Sequence, residues 1–178
     1  ASAGGVSAEG ADSAGIATLT GGEMELTKKA GRITELARAV AQRKKPSSIG
    51  ISHTRWATHG EPTDVNAHPH LDQSGKLALV HNGVIENYQV LKKQLTAEGH
   101  EFKSATDTEA LSHLIGKYYN QVETLGDERL LEAVRLALRD VKGTYGVAIM
   151  HQDHPGLIIG ARRGSPLVLG IGEGIHLE

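Results

Sequence analysis

Cysteine is absent from the 178 residues, which excludes disulfides and any thiol chemistry within the chain as given. Aromatic residues are scarce at 3%, with one tryptophan and one phenylalanine, so the core must be aliphatic. No apolar run approaches the roughly 20 residues that span a bilayer, and no signal-peptide pattern opens the chain. Neither charge sign dominates: 19 Lys and Arg stand against 21 Asp and Glu, which removes any bulk electrostatic case for nucleic acid or an anionic membrane. A cytoplasmic domain is therefore expected. Glycine is plentiful at 22, and 39% of residues are apolar, which together predict a tightly turned, β-rich fold rather than disorder. The length suits one domain with a real core.

The first ten residues, ASAGGVSAEG, are small and weakly patterned and read as a loose or truncated end. In IATLTGGEMELTK, alternating segments flank Gly21-Gly22 and predict a hairpin. RITELARAVAQR predicts a helix over 33–43 with Ile33, Leu36, Ala37 and Val40 on one face, stopped by Pro46. SSIGISHTR returns to β alternation, and KLALVHNG reads as a buried strand ending at Asn82-Gly83. A helix over 87–98 carries Val90, Leu91 and Leu95 inward, with Gly99 as terminator. Thr106 and Glu109 predict a capping box that opens a helix through Ala110, Leu111, Leu114, Ile115 and Tyr118. A further helix over 127–142 has Leu130, Leu131, Val134, Ala137, Leu138 and Val141 as its stripe. Three strands, TYGVAIM, GLIIGAR and SPLVLGI, close the chain, with a turn at Asp153-His154-Pro155-Gly156 between the first two. Strands at both ends and helices between give an α+β class of stacked layers.

The segment HTRWATHGEPTDVNAHPH, His53 to His70, holds four of the ten histidines. A metal site would need three or four ligands at a spacing such as H-E-x-x-H, which is missing, and Arg55 beside it opposes a cation. A second reading makes His68 and His70 framework, their rings capping backbone groups. A third is ligand capture: Arg55, at the end of an apolar strand, can grip a carboxylate through two parallel hydrogen bonds, with Thr58 and His59 adding donors. Asn82-Gly83 taken alone is simply a turn, yet an Asn amide beside a Gly backbone N–H also suits an oxyanion hole. Asp107 at a helix start is stabilised by the helix dipole by about 0.3–1 kcal/mol. Arg for a carboxylate, Asp for an ammonium and an amide donor pair together suit a glutamine- or asparagine-like ligand.

These segments, with LALVHNGVIENY, SATDTEALSHLI, GTYGVAIM and ARRGSPLVLGIG, closely resemble in order and spacing the glutaminase domain of the glucosamine-6-phosphate synthases, the glutamine–fructose-6-phosphate amidotransferases. GADSAG, at 10–15, is similar to that family's RGYDSAG, and the resemblance runs from about Asp12 to Ile171. It implies an N-terminal-nucleophile hydrolase fold: a four-layer αββα sandwich of two antiparallel sheets between helical layers, here one glutaminase domain over 1–178 without its isomerase domain. Carried across, Arg55 binds the glutamine α-carboxylate with Thr58 and His59. Asp107 and the Gly83 carbonyl hold the α-ammonium, Asn82 and the Gly83 N–H form the oxyanion hole, and Trp56 belongs to a loop closing over substrate. The resemblance implies an N-terminal cysteine nucleophile with its own α-amine as base, and ammonia passing to a sugar-isomerase domain that converts fructose 6-phosphate into glucosamine 6-phosphate. It implies no cofactor and no metal. Its partners are L-glutamine, L-glutamate and the isomerase domain, through which a homodimer forms; neither nucleic acid nor membrane is implied.

The chain departs from the family before GADSAG, where the segment is too short for the expected strand and helix, lacks the cysteine, and has Glu9 where the arginine would stand. Ser2 is not terminal, has no adjacent free amine, and is no substitute. The expectation is that an N-terminal region has been removed and that Leu177-Glu178 is a cloning remnant of an isolated domain, inactive without its cysteine. The alternatives are a non-catalytic amino-acid-binding or regulatory module, and the glutaminase domain of another class II amidotransferase.

Overall fold

The computed structural model describes residues 12–43, 46–55, 61 and 63–170. Alternating residues on either side of Gly21-Gly22 form strands β1 (Ser13–Thr20) and β2 (Glu23–Ala30), paired antiparallel from Thr20↔Glu23 to Ser13↔Ala30. Both turn glycines lie at positive φ, as a primed two-residue turn needs. Helix α1 (Ile33–Ala41) follows, and β3 (Ile49–Arg55) pairs with the other edge of β1, giving a three-stranded sheet β2-β1-β3. A short β4 (His70–Leu71), β5 (Leu77–Ile85), β6 (Gly143–His151) and β7 (Ile158–Arg163) form an antiparallel sheet in the order β4-β5-β6-β7. Between β5 and β6 run α2 (Tyr88–Ala97), α3 (Asp107–Gln121) and α4 (Asp127–Asp140).

The two-residue period of a strand sorts the sheets into layers. Ala78 and Val80 face one side of β5 and meet Ala17, Leu19 and Ile51 of the first sheet, together with Met150. Leu77 and Leu79 face the other side, in a core shared with Leu91, Leu95, Leu111, Ile115, Leu130 and Val134 of the three helices. Both faces of β5 are thus buried, which is why LALV is continuously apolar. Arg43, just past α1, donates to Thr18 Oγ1 (2.6 Å) and Thr27 Oγ1 (2.5 Å), so α1 lies on the face of the first sheet turned away from Ala17 and Leu19. Helix, sheet, sheet and helices make the four-layer α+β sandwich. Among the described residues, no helix is long and apolar enough to cross a membrane.

Several local expectations fail for identifiable reasons. Only Leu36 of the α1 face is buried, because α1 packs mainly on β1 and β2; Ile33 remains 42% exposed. Val90 is 67% exposed: α2 turns the Tyr88, Leu91, Leu95 stripe inward, and Val90 sits about 100° from Leu91 around the helix. Thr106 is the α3 N-cap but makes no capping bond; its hydroxyl pairs instead with His70 Nε2 (3.0 Å) and Ser104 Oγ (2.9 Å). Glu109 correspondingly reaches past the cap, accepting from Lys103 N (2.8 Å), Ser104 N (2.7 Å) and Ser104 Oγ (2.7 Å). The third closing strand is absent among the described residues: after an isolated bridge from Tyr145 to Gly164 the chain is irregular, with Val168 90% and Leu169 86% exposed, and Ile171 lies outside the described residues. The last helix stops at Asp140, two residues short of its expected end.

Candidate functional site

The C-terminal ends of β3 and β5 and the N-terminus of α3 enclose a cavity of ≈ 320 Å³, lined among others by His53, Arg55, His81, Asn82, Gly83 and Asp107. Four of the residues singled out in the sequence, Arg55, Asn82, Gly83 and Asp107, therefore meet in one place although 52 positions separate the first from the last. Trp56, Thr58 and His59, the remaining ones, lie outside the described residues.

Arg55 is the last residue of β3, paired with Ser13, and is 6% exposed. Burial lowers its pKa from the usual guanidinium range, and the carboxylates of Asp12 and Asp107 work against that shift; the side chain stays a cation. Asp107 follows the extended N-cap Thr106, and its Oδ2 accepts from the backbone N–H of Ile85 at 2.7 Å. That bond ties the start of α3 to the end of β5. It also occupies an edge of β5 that β4, which pairs only with Ala78 and Leu79, leaves uncovered. Gly83 has φ 134°, and a Cβ placed on it would lie 2.3 Å from the Thr144 carbonyl, so only glycine fits. Asn82, beside it, accepts at Oδ1 from His53 Nε2–H at 2.8 Å.

Behind the cavity the histidines form part of the wall. His81 Nε2–H donates to the Thr144 carbonyl (3.3 Å), which leaves Nδ1 to accept from the Thr108 hydroxyl (3.0 Å). Thr108 Oγ1 accepts in turn from His68 Nε2–H (2.9 Å). His70 bonds Thr106 and the Asn66 backbone, and the Asn66 side chain spans Glu61 O (2.9 Å) and Ala105 N (3.0 Å). His68 and His70 thus knit the 61–70 segment to α3. The first of them also packs its carbonyl against β1, where a Cβ on Gly15 would meet it at 2.1 Å. No group of three or more His, Cys, Asp or Glu residues among those described is placed to hold a metal ion.

Burial holds these rings neutral. The pKa values of His53, His68, His70, His81 and His113 all lie below the usual imidazole range because burial penalises the cation, and that of His151 is pushed down to about 4 for the same reason. Above pH ~6.5 folded and unfolded chains are both neutral at these rings, so stability does not change. Below it the unfolded chain takes up protons that the folded one refuses, so stability falls with falling pH, for His151 down through about 4. Each such ring costs at most about 1.4 kcal/mol per pH unit. The urea midpoint is expected to drop clearly between pH 7.5 and pH 5.5; an unchanged midpoint would contradict neutral burial.

A larger cavity, ≈ 440 Å³, opens on the far side of His70 beside Lys28, Asp72, Glu109 and His113. Its polar groups are engaged with the protein itself: Glu109 as described above, Lys28 with Val65 O at 2.8 Å, and Asp72 with Ser74 Oγ (2.7 Å) and Leu77 N (3.0 Å). The smaller cavity brings a buried cation, a helix-start carboxylate, an Asn amide and a glycine to one space. That arrangement suits a small zwitterion carrying a polar side-chain carbonyl.

His53, His81 and Thr108 are site residues that sequence reasoning left without a role. For His53 a signal existed, since i and i+2 on a strand share a face and His53 stands two before Arg55.

A model of the glutamine amidotransferase domain family matches residues 53–171. The chain is 51% identical over 165 residues to a glutamine–fructose-6-phosphate aminotransferase (isomerizing) of Thermus thermophilus, covering 93% of this chain and 26% of that protein. It is 52% identical over 167 residues to the enzyme of the same name from Bacteroides thetaiotaomicron, covering 92% and 26%. The chain therefore spans about a quarter of the length of the curated relatives it matches. In three dimensions it is similar to the glutamine phosphoribosylpyrophosphate amidotransferase from B. subtilis, with TM-score 0.68 and 30% identity over 87% of this chain and 32% of that one. With the family match covering the cavity residues and most of the chain, this protein belongs to the glutamine amidotransferase domain family.

Proposed function

We propose that residues 1–178 are a single glutaminase domain of a glutamine–fructose-6-phosphate aminotransferase, which releases ammonia from L-glutamine for use by a sugar-isomerase domain elsewhere in the protein. The observation that carries this reading is the meeting of Arg55, Asn82, Gly83 and Asp107 around one ≈ 320 Å³ cavity. Arg55 takes the substrate α-carboxylate; Asp107, with the Gly83 carbonyl, takes the α-ammonium. The side-chain carbonyl then lies between Asn82 Nδ2 and the Gly83 N–H, where negative charge develops as the carbon becomes tetrahedral. Thr58 and His59 add donors to the carboxylate, and Trp56 covers the bound substrate.

The attacking thiol is absent from this sequence, and we assign it to an N-terminal cysteine of the whole protein. Its α-amine takes the thiol proton as the sulfur adds to the amide carbon, the α-ammonium so formed passes that proton to the leaving nitrogen, and the C–N bond breaks to release ammonia. Water then hydrolyses the thioester to glutamate and regenerates the thiol. The names of the relatives support fructose 6-phosphate as the ammonia acceptor. The test is glutamate release from L-glutamine by the full-length protein: it is expected to proceed, and to stop when the terminal thiol is alkylated. A full-length protein that neither hydrolyses glutamine nor binds glutamate would overturn the reading.

A further inference from the structure

Asparagine is useful as an oxyanion donor only in one orientation. Its amide must turn Nδ2, which carries two donors, toward the substrate and Oδ1 away from it; a half-turn about the Cβ–Cγ bond would aim a repelling oxygen at the developing negative charge. The residue at Oδ1 therefore decides which state is populated.

His53 occupies that position. Its Nε2 lies 2.8 Å from Asn82 Oδ1, although the two residues are 29 positions apart on strands of different sheets. A neutral imidazole with its proton on Nε2 can donate to Oδ1 but not to an amide nitrogen. For the reversed amide, the proton would have to sit on Nδ1. That atom is buried with no hydrogen-bond partner among the described residues. A buried N–H without an acceptor is rarer and costlier than an unused lone pair. Ring packing also holds the imidazole in place: His53 and His68 have centroids 4.5 Å apart, and His68 is itself bonded to Thr108. The Nε2–H form is thus selected, and with it one orientation of Asn82.

We infer that His53 is a positioning residue that locks the Asn82 amide with Nδ2 facing the substrate carbonyl. This rests on the oxyanion role proposed for Asn82. His53 touches no reacting atom; it acts through Asn82.

The test is a double-mutant cycle in the full-length protein, read as kcat and KM for glutamine hydrolysis and as glutamate affinity. His53→Ala is expected to lower kcat about 10- to 100-fold, with KM and glutamate affinity within about threefold of the parent, because an unlocked amide samples the wrong orientation. His53→Gln, whose Nε2 amide can donate to the same oxygen, is expected to recover most of the loss. His53→Ala combined with Asn82→Ala is expected to be no slower than Asn82→Ala alone, since nothing remains to be oriented. A His53→Ala loss that multiplies with that of Asn82→Ala, a loss confined to KM or glutamate affinity, or a His53→Gln variant as slow as His53→Ala would each overturn the assignment. If Asn82→Ala is itself as fast as the parent, the oxyanion role falls first, which separates that failure from one confined to His53.

Discussion

Arg55→Ala is expected to weaken L-glutamate binding, and to raise KM for glutamine, by a factor of tens to several thousand, with much smaller change in kcat. The side chain is 6% exposed, so its guanidinium has already lost most of its water before a ligand arrives. A carboxylate that meets it gains two parallel charge-assisted bonds at little further desolvation cost. Truncating one partner of such a buried pair costs about 2–5 kcal/mol, and about 1.4 kcal/mol is tenfold in affinity. The α-carboxylate is remote from the amide that reacts, so ground state and transition state lose the same interaction, and the effect falls on KM. Arg55→Lys keeps the charge and loses the planar fork, so it is expected to fall between parent and alanine. Since Arg55 also neutralises the field of Asp12 and Asp107, thermal melting should accompany the titration. Unchanged glutamate affinity in a folded Arg55→Ala protein would remove Arg55 from the site.

Asn82→Ala has the opposite kinetic signature. Loss of one preorganised oxyanion donor costs about 2.7–4 kcal/mol, or 10²–10³ in kcat, and KM is expected to stay nearly constant because the ground-state carbonyl depends far less on that donor. Asn82→Asp is expected to be at least as slow: it replaces a two-donor amide by a carboxylate that repels the oxyanion and leaves His53 Nε2–H bonded as before. Steady-state glutamine hydrolysis by the full-length protein checks both. A KM effect without a kcat effect would move Asn82 from the oxyanion to the ground-state pocket. Arg55 and Asn82 both line one ≈ 320 Å³ cavity, so the pair separates holding the substrate from reacting with it.

Periodicity and turn chemistry are local properties, and they were legible along the chain. The Gly21-Gly22 hairpin, the buried β5 strand and the α3 and α4 stripes all follow from which residues recur at spacing two or near 3.6. What was misread depended on a neighbour. Val90 is as apolar as Leu91, and only the direction of the second sheet decides which of them is buried. Thr106 and Glu109 have the capping-box spacing, but His70 and Ser104 offer buried partners that compete for their side chains. SPLVLGI has strand composition, but a strand needs an edge to pair with, and no described residue after Gly164 finds one.

The same division runs through the site. Residue types and motif spacing marked Arg55, Asn82, Gly83 and Asp107, because a planar cation, an amide next to a glycine and a helix-start carboxylate each carry their chemistry in the side chain itself. That they face one cavity is decided by the pairing of β3 with β1, the packing of one sheet on the other, and the bond from Ile85 N–H to Asp107. The lock of His53 on Asn82 is tertiary in the same sense: it joins two strands that never pair, across an interface built by Ala17, Leu19, Ile51, Ala78, Val80 and Met150. The sequence by itself determined the elements and the chemical repertoire, because both depend on residues a few positions apart. Only the tertiary structure decided the orientation of the amide and the neutrality of the rings behind it, because burial and hydrogen-bond direction depend on atoms brought close by folding.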